Sequence, residues 1–407
     1  MANITIGKQT LEKIKLITNG IVAHHVTITA IEATKEVSML FSGKQDESKV
    51  SVYGFNKSSS EIVFSDPAIK ENIKATVDDE NGNFINLLCK AVNQDEELTL
   101  RLSSSSKEIV VSVGGISIYF QARYSPFDNK NAKFINTVCP SPIISFSKED
   151  FKVQVVDTTR GLSIQNEWID SKIAGVNFIV SSEGANLFVA TKTFHFKAPL
   201  TKGTFYPESS KAFIHDDGVI FLKEEFINDI YSLMNDDDEV KFFLNESCAE
   251  DEETATYNVT IGTNIVMTII EMARKKNVIN NKKFDEETSA KEKSFAEINR
   301  KSFRKFFTVF EGTSFFQNNI IKLSFTSKKG LRFKPFEDGD NKFEYFIEDK
   351  DIHSDMEFDV NFFVLDAITK NMVGENILIK ENTLSPKRFI ASDGSSWFVA
   401  GKSIKQE

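Results

Sequence analysis

The feature that most constrains this chain is internal repetition: one order of elements occurs three times along its 407 residues. Each copy opens on an amphipathic helix, passes through short strands to a second helix, turns at polar or acidic residues and closes on a three-strand meander. In the first copy, TIGKQTLEKIKLITNGI sets Leu11, Ile14, Ile17 and Ile21 at helical spacing, and NGNFINLLCKAV does the same with Phe84, Leu87, Leu88 and Ala91. Asp95-Glu96-Glu97 then leads into LTLRLS, EIVVSV and ISIYFQA, with Gly114-Gly115 at the last hairpin turn. In the second, SFSKEDFKVQVVDTTRGLS puts Phe151, Val155, Thr159 and Leu162 on one face behind Ser147, a good helix cap. LKEEFINDIYSLM, the run Asp236-Asp237-Asp238-Glu239 and the strands VKFFLN, TATYNVTIG and NIVMTII follow. The third runs FAEINRKSFRKFFTVFEG, FDVNFFVLDAITKNMV, Gly374-Glu375, then NILIKEN, KRFIASD and SSWFVAG.

Two helices beside about eight strands, repeated, predict an α+β fold in which each sheet buries one face under its helices. The copies predict domains at 1–125, 140–278 and 294–407, with 126–139 and 279–293 as linkers. The second linker lies in KKNVINNKKFDEETSAKEKS, which is polar, charged and without periodicity. Phenylalanine is abundant at 37 copies and proline scarce at 8, which suits strands over flexible linkers. No apolar run approaches the roughly 20 residues needed to span a bilayer. The N-terminal segment lacks the layout of a secretion signal, so a cytoplasmic protein is expected, with no membrane partner. Cys89, Cys139 and Cys248 are widely spaced with no CxxC pattern, and are expected to be reduced and structural.

A net charge of −10 repels phosphate over most of the surface, so contact with nucleic acid requires local segregation of charge. The third copy shows it. Arg300, Lys301, Arg304 and Lys305 alternate with Phe303, Phe306, Phe307 and Phe310, and at about 100° per residue the cations and the rings fall on largely opposite faces. The equivalent helices carry Lys8, Lys13 and Lys15 in the first copy and Lys148, Lys152 and Arg160 in the second. Glu12, Glu149 and Glu297 weaken the local field there, and the second helices add chiefly Lys90, Lys223 and Lys370.

Nothing points to catalysis. GxGxxG, GxxxxGKS/T, GxSxG and HExxH patterns are missing from the sequence. His24-His25 are adjacent, so their rings cannot share a strand face, and the Asp236–Glu239 run lacks the alternating ligands and central glycine of a calcium loop. No enzyme activity, metal or cofactor is expected.

The order of elements resembles the bacterial DNA sliding clamp, the beta subunit of the replicative polymerase, over nearly the whole chain. The segments that carry the likeness are NFINLLCKAV with EELTLRL and EIVVSVGGISIYFQA in the first copy, and GVNFIVSSEGANLFVATKTFHFKAPL in the second. Val189, Ala190, Thr191 and Ala198 fit that family's VATDGHRLA-type strand. Lys192, Thr193, Phe194, His195 and Phe196 stand where the family carries Asp-Gly-His-Arg-Leu, and WFVAGKSIKQE replaces its Met-Pro-Met-Arg-Leu tail. With these departures the chain resembles a divergent member of that family, and the Asn, Lys and Phe bias suits an AT-rich genome such as a phage's.

The resemblance implies three clamp domains per chain and a head-to-tail homodimeric ring, joined through strand edges of the first and third copies. It implies that double-stranded DNA is encircled without base reading, by Lys8, Lys13, Lys15, Lys90, Lys148, Lys152, Arg160, Arg300, Lys301, Arg304, Lys305 and Lys370. It further implies a peptide pocket for the DNA polymerase and clamp loader, formed by Thr191, Phe194, Phe196, Met272, Val278, Phe398, Val399 and Ala400. Gly401 and Lys402 replace bulkier apolar residues at its border. Two other classes remain open: a structural or virion-associated α+β protein, told apart by assembly size, and a phosphodiester enzyme with dispersed carboxylates, told apart by metal-dependent turnover.

Overall fold

Each copy begins with a strand that the helical periodicity conceals. The computed structural model describes residues 2–21, 23–43, 55–92, 97–127, 142–162, 175–181, 184–190, 194–206, 218–244, 254–272, 281–289, 294–310, 320–327, 330–335, 345–347 and 352–402, and the statements below concern these. The first copy comprises β1 (Ala2–Ile6), α1 (Lys8–Thr18), β2 (Ala23–Ile31), β3 (Glu36–Gly43), β4 (Phe55–Ser65), β5 (Ile73–Asp78), α2 (Asn83–Ala91), β6 (Leu98–Ser103), β7 (Glu108–Val113) and β8 (Ile116–Tyr124). The second comprises β9 (Ile144–Ser147), α3 (Lys148–Phe151), a π-helical turn (Lys152–Val156), α4 (Asp157–Leu162), β10 (Gly175–Ser181), β11 (Gly184–Ala190), β12 (Phe194–Pro199), β13 (Thr204–Phe205), β14 (Gly218–Lys223), α5 (Glu224–Leu233), β15 (Glu239–Leu244), β16 (Thr254–Ile261) and β17 (Ile265–Met272). After α6 (Asn281–Ser289), the third comprises β18 (Ser294–Asn299), α7 (Arg300–Phe310), β19 (Ile320–Thr326), β20 (Gly330–Pro335), β21 (Tyr345–Ile347), β22 (Met356–Asn361), α8 (Phe362–Asn371), β23 (Asn376–Glu381), β24 (Arg388–Ser392) and β25 (Trp397–Gly401).

The opening helices therefore start later than their apolar spacing suggests. Ala2, Ile4 and Ile6 alternate with exposed residues along β1, and Ala296 and Ile298 are buried along β18. That is a period of two over a few residues, which a helical template absorbs. Caps then set the helix starts. The Ser147 hydroxyl accepts from the Asp150 amide at 3.2 Å, and the buried Asp79 carboxylate accepts from Phe84 N at 2.9 Å and Ile85 N at 3.1 Å. The roll of α2 turns Phe84, Ile85, Leu88 and Ala91 inward and leaves Leu87 only half-buried.

Strand pairing repeats as the elements do, and every pairing is antiparallel. The opening strand pairs the first meander strand in each copy: β1 with β6, β9 with β15, β18 with β23. The intervening strands form the same quartet each time, in the orders β5-β2-β3-β4, β14-β10-β11-β12 and β22-β19-β20-β21. The quartet edge of one copy then pairs the last meander strand of the next, β4 with β17 and β12 with β25. The result is a 13-stranded, an 8-stranded and a 4-stranded sheet, mixed α+β and dominated by antiparallel strands. At the β7–β8 turn Gly114 and Gly115 take φ of 56° and 75°, the positive values a two-residue hairpin of this hand requires.

Packing divides the chain into two units. The first holds residues 1–152, 202–212 and 225–277 and contains the 13-stranded sheet; the second holds 153–201, 213–224 and 278–407 and contains the other two. In the first unit Leu11, Ile14 and Ile17 of α1 are fully buried, and Phe84 of α2 meets Phe120 edge-on at 5.0 Å. In the second, α8 buries Phe362, Val364, Leu365, Ala367 and Ile368 beside α4 and α7. The stretch expected to be an exposed linker or long loop at 279–293 instead contains the helix α6, whose Phe284 is buried. A lone aromatic among charges leaves no period to detect, and the helix exists through what Phe284 packs against.

Candidate nucleic-acid interface

The basic helix of the third copy is oriented by its phenylalanines. Phe303, Phe306 and Phe307 are buried, with Phe306 stacked on Phe333 of β20 at 4.1 Å and Phe303 at 5.6 Å from the same ring. This aromatic face fixes the roll of α7, so its cations turn away from the small sheet and toward α8 and solvent. They are not equivalent once there. The Arg304 guanidinium donates to Asp366 of α8 and, at 3.5 Å, to Thr369; Lys370 pairs with the same carboxylate at 2.6 Å. Arg300 donates to the Met372 carbonyl just beyond the end of α8. Lys301 and Lys305 are exposed, and neither has an ion pair among the described residues.

The helices thus enclose a cleft of about 640 Å3 lined by Arg300, Lys301, Arg304, Lys305, Thr308, Val309, Tyr345, Thr369 and Lys370. Among the described residues five cations line it and Asp366 engages two of them, so this described lining is net positive in a chain whose total charge is −10. A cleft of this charge attracts anions, whatever their chemical identity. Asp366 and Lys370 are an i,i+4 pair on one helix, but nothing local in the sequence shows that Asp366 also takes Arg304, 62 residues away.

The other predicted cations are more dispersed. Lys8, Lys15, Lys90 and Lys152 are exposed in the first unit, where Lys13 donates to Asn235 at 3.3 Å. Lys148 is engaged by Asp236 at 2.8 Å and lies over the Tyr231 ring; the hydrogen bond raises the lysine pKa and lowers that of the aspartate. The acidic run after α5 therefore screens one of the predicted cations. Arg160 is exposed on α4, in the second unit. Among the described residues, no group of three His, Cys, Asp or Glu side chains is placed to hold a metal ion.

The residues anticipated for a peptide pocket are partly brought together. β12 and β25 are neighbours, with Phe194 opposite Ala400 and Phe196 opposite Phe398. The three rings are fully buried against one another, at 5.5 Å for Phe194–Phe398 and 4.5 Å for Phe196–Phe398. Ala400 is buried too, while Val399 belongs to a separate cluster with Ile179, Phe188, Phe284 and Ile390, with Trp397 against it. These phenylalanines are core, and Val399 meets the helix α6 that sequence spacing did not reveal. Met272 ends β17 in the first unit, and Thr191 and Val278 lie outside the described residues.

Comparison with known proteins turns on the fold. No family profile matches the chain, and no curated protein does. Among solved structures, a Helicobacter pylori beta clamp bound to a DNA ligase peptide is similar over 99% of this chain and 100% of its own, with a TM-score of 0.62 at 11% identity. A DNA polymerase sliding clamp from Pseudomonas aeruginosa matches over the same shares with a TM-score of 0.62 at 12% identity, and the griselimycin-bound clamp of that organism gives 0.62 at 11%. The chain has the three-domain clamp fold, matched over 99% of its length.

Proposed function

We propose that this protein is a DNA sliding clamp, a ring that encircles duplex DNA and tethers a replicative polymerase. The observation that carries the reading is the repeated sheet junction. Within the chain, the quartet edges of the first and second copies pair the last meander strand of the following copy, at β4–β17 and β12–β25. Among the described residues, two equivalent edges remain: residues 116–121 of β8, which pair with β7 alone, and β21, which pairs with β20 alone. Ile116, Ile118 and Tyr119 on the first and Phe346 on the second are exposed apolar residues on unpaired edges, a hazard unless another strand covers them. Repeating the internal junction between two chains, head to tail, covers both edges and supports a ring of two. The likeness in fold to polymerase sliding clamps supports the same conclusion, and the domains then fall at 1–125, 140–278 and 294–407.

In such a ring the α7–α8 cleft, with the cations of the first and second copies, faces the DNA backbone. Partners such as the polymerase and loader dock through peptides near β12 and β25, and the protein needs no catalytic group. It works where the genome is replicated, in the cytoplasm or nucleoid, and the departures from the family's strand and tail suit a phage-encoded clamp. The test is topological. Light scattering should give the mass of a dimer, and protein loaded on nicked circular DNA should stay until a single cut linearises the circle, then slide off. A monomeric mass together with equal release from circles and linear DNA overturns the reading.

A further inference from the structure

The helix α6 has the composition of a segment that should not be helical. It is nine residues long, NKKFDEETS, below the length at which isolated helices persist in water. No acid lies in its first turn and no base in its last; Lys282 and Lys283 sit at the start and Glu286 and Glu287 near the end, each opposing the helix dipole. Its helicity comes from docking on the eight-stranded sheet, and among the described side chains the fully buried contacts are at two positions. Phe284 enters an apolar site made by Ile179, Phe188, Ile390 and Val399, with Trp397 at its border, and meets the Phe188 ring edge-on at 5.2 Å. One turn on, the buried Glu287 carboxylate accepts from Asn382 Nδ2 at 3.2 Å, Ser385 Oγ at 3.0 Å and Arg388 Nη1 at 3.3 Å. Asp285 adds a rim contact to Lys197 at 2.7 Å.

We infer that α6 is an internal ligand of a peptide groove, occupying in cis the two sites that a partner peptide takes with an aromatic residue and a carboxylate three positions later. The argument is one of complementarity. When α6 lifts away it leaves an apolar socket and the half-buried Arg388 guanidinium without its carboxylate, a cost that a ligand supplying both groups relieves. Phe284 and Glu287 lie three residues apart on one face of α6, and the exposed Lys283 and Glu286 lie off that face. A tethered ligand competes at an effective concentration in the millimolar range, so a free peptide gains the groove only when α6 is weakened or the partner adds contacts elsewhere. The groove then opens to a partner that engages the protein at a second point and stays closed to stray peptides. The inference rests on the peptide-docking part of the clamp reading, and is independent of ring closure and DNA.

The probe is α6 itself, a synthetic peptide of Asn281–Ser289 carrying a fluorophore, titrated into the full-length protein. Phe284→Ala empties the socket, and the peptide should bind this variant at least about tenfold more tightly than the wild type, because the competing cis segment is gone. A peptide with its own phenylalanine changed to alanine should bind neither. Hydrogen exchange of the unmodified protein provides a second reading: the amides of 281–289 should exchange at least about tenfold faster than those of β25, and faster again when excess peptide is added. A folded variant that ignores the peptide overturns the inference, and so does a variant that unfolds or an α6 that exchanges no faster than β25, since a displaceable segment must be dispensable to the fold. Dimer mass and DNA retention are read separately, so failure of the clamp reading is distinguished from failure of this one.

Discussion

Replacing Lys301 and Lys305 with glutamate reverses the two charges of the α7–α8 cleft that have neither an ion pair nor a hydrogen bond among the described residues, while the Phe303, Phe306 and Phe307 face that anchors the helix is untouched. Each phosphate contact contributes about 0.9 to the slope of log affinity against log salt, so losing two contacts per chain lowers the slope by about 1.8. Between about 50 and 200 mM salt the wild type should therefore lose about twelvefold more affinity than the variant, beyond whatever the other cations contribute. Fluorescence anisotropy on a short duplex across that range reads the difference, and it should be the same on any sequence because phosphates carry no base identity. Arg304→Ala is the contrasting control. It unpairs Asp366 on one side, leaves Lys370 on the other, and should cost about 1–2 kcal/mol of stability with a smaller change in salt slope. An unchanged slope for the lysine variant, in a protein that still folds and dimerises, would mean that this cleft faces away from the DNA.

Three other outcomes follow from the structure. Ile118→Lys with Phe346→Lys places charge on the two unpaired edges, and light scattering should report monomers with unaltered circular dichroism. His195 is pushed down to about 4 by burial and by the nearby Arg388 and Lys283 charges. A depressed histidine contributes stability present above its unfolded value of about 6.5 and lost as pH falls toward 4, so about 3 kcal/mol should disappear over that window in urea titrations, and His195→Asn should flatten it. Lys57 and Asp229 are a buried pair 3.4 Å apart, the lysine lowered and the aspartate raised chiefly by burial. Lys57→Ala should therefore cost about 3–5 kcal/mol, whereas Lys57→Met with Asp229→Leu should restore stability to near wild type by thermal melts.

What the sequence determined by itself was whatever depends on neighbours along the chain. The threefold order of helices and meanders, the inward faces of α1 and α7, the Ser147 cap and the β7–β8 turn all rest on periods of two or 3.6 residues and on backbone preferences within a few positions. Tertiary structure alone decided what those faces meet. The four cations of α7 look alike in sequence, yet Arg304 is drawn to Asp366 and Arg300 to Met372 because α8 packs beside them, leaving the lysines to solvent. Phe194, Phe196 and Phe398 read equally well as a pocket or as core, and the pairing of β12 with β25 stacks them into core. The helix α6 was invisible because its conformation is stabilised by a sheet built from residues 179 to 399, and no window around Phe284 contains that sheet.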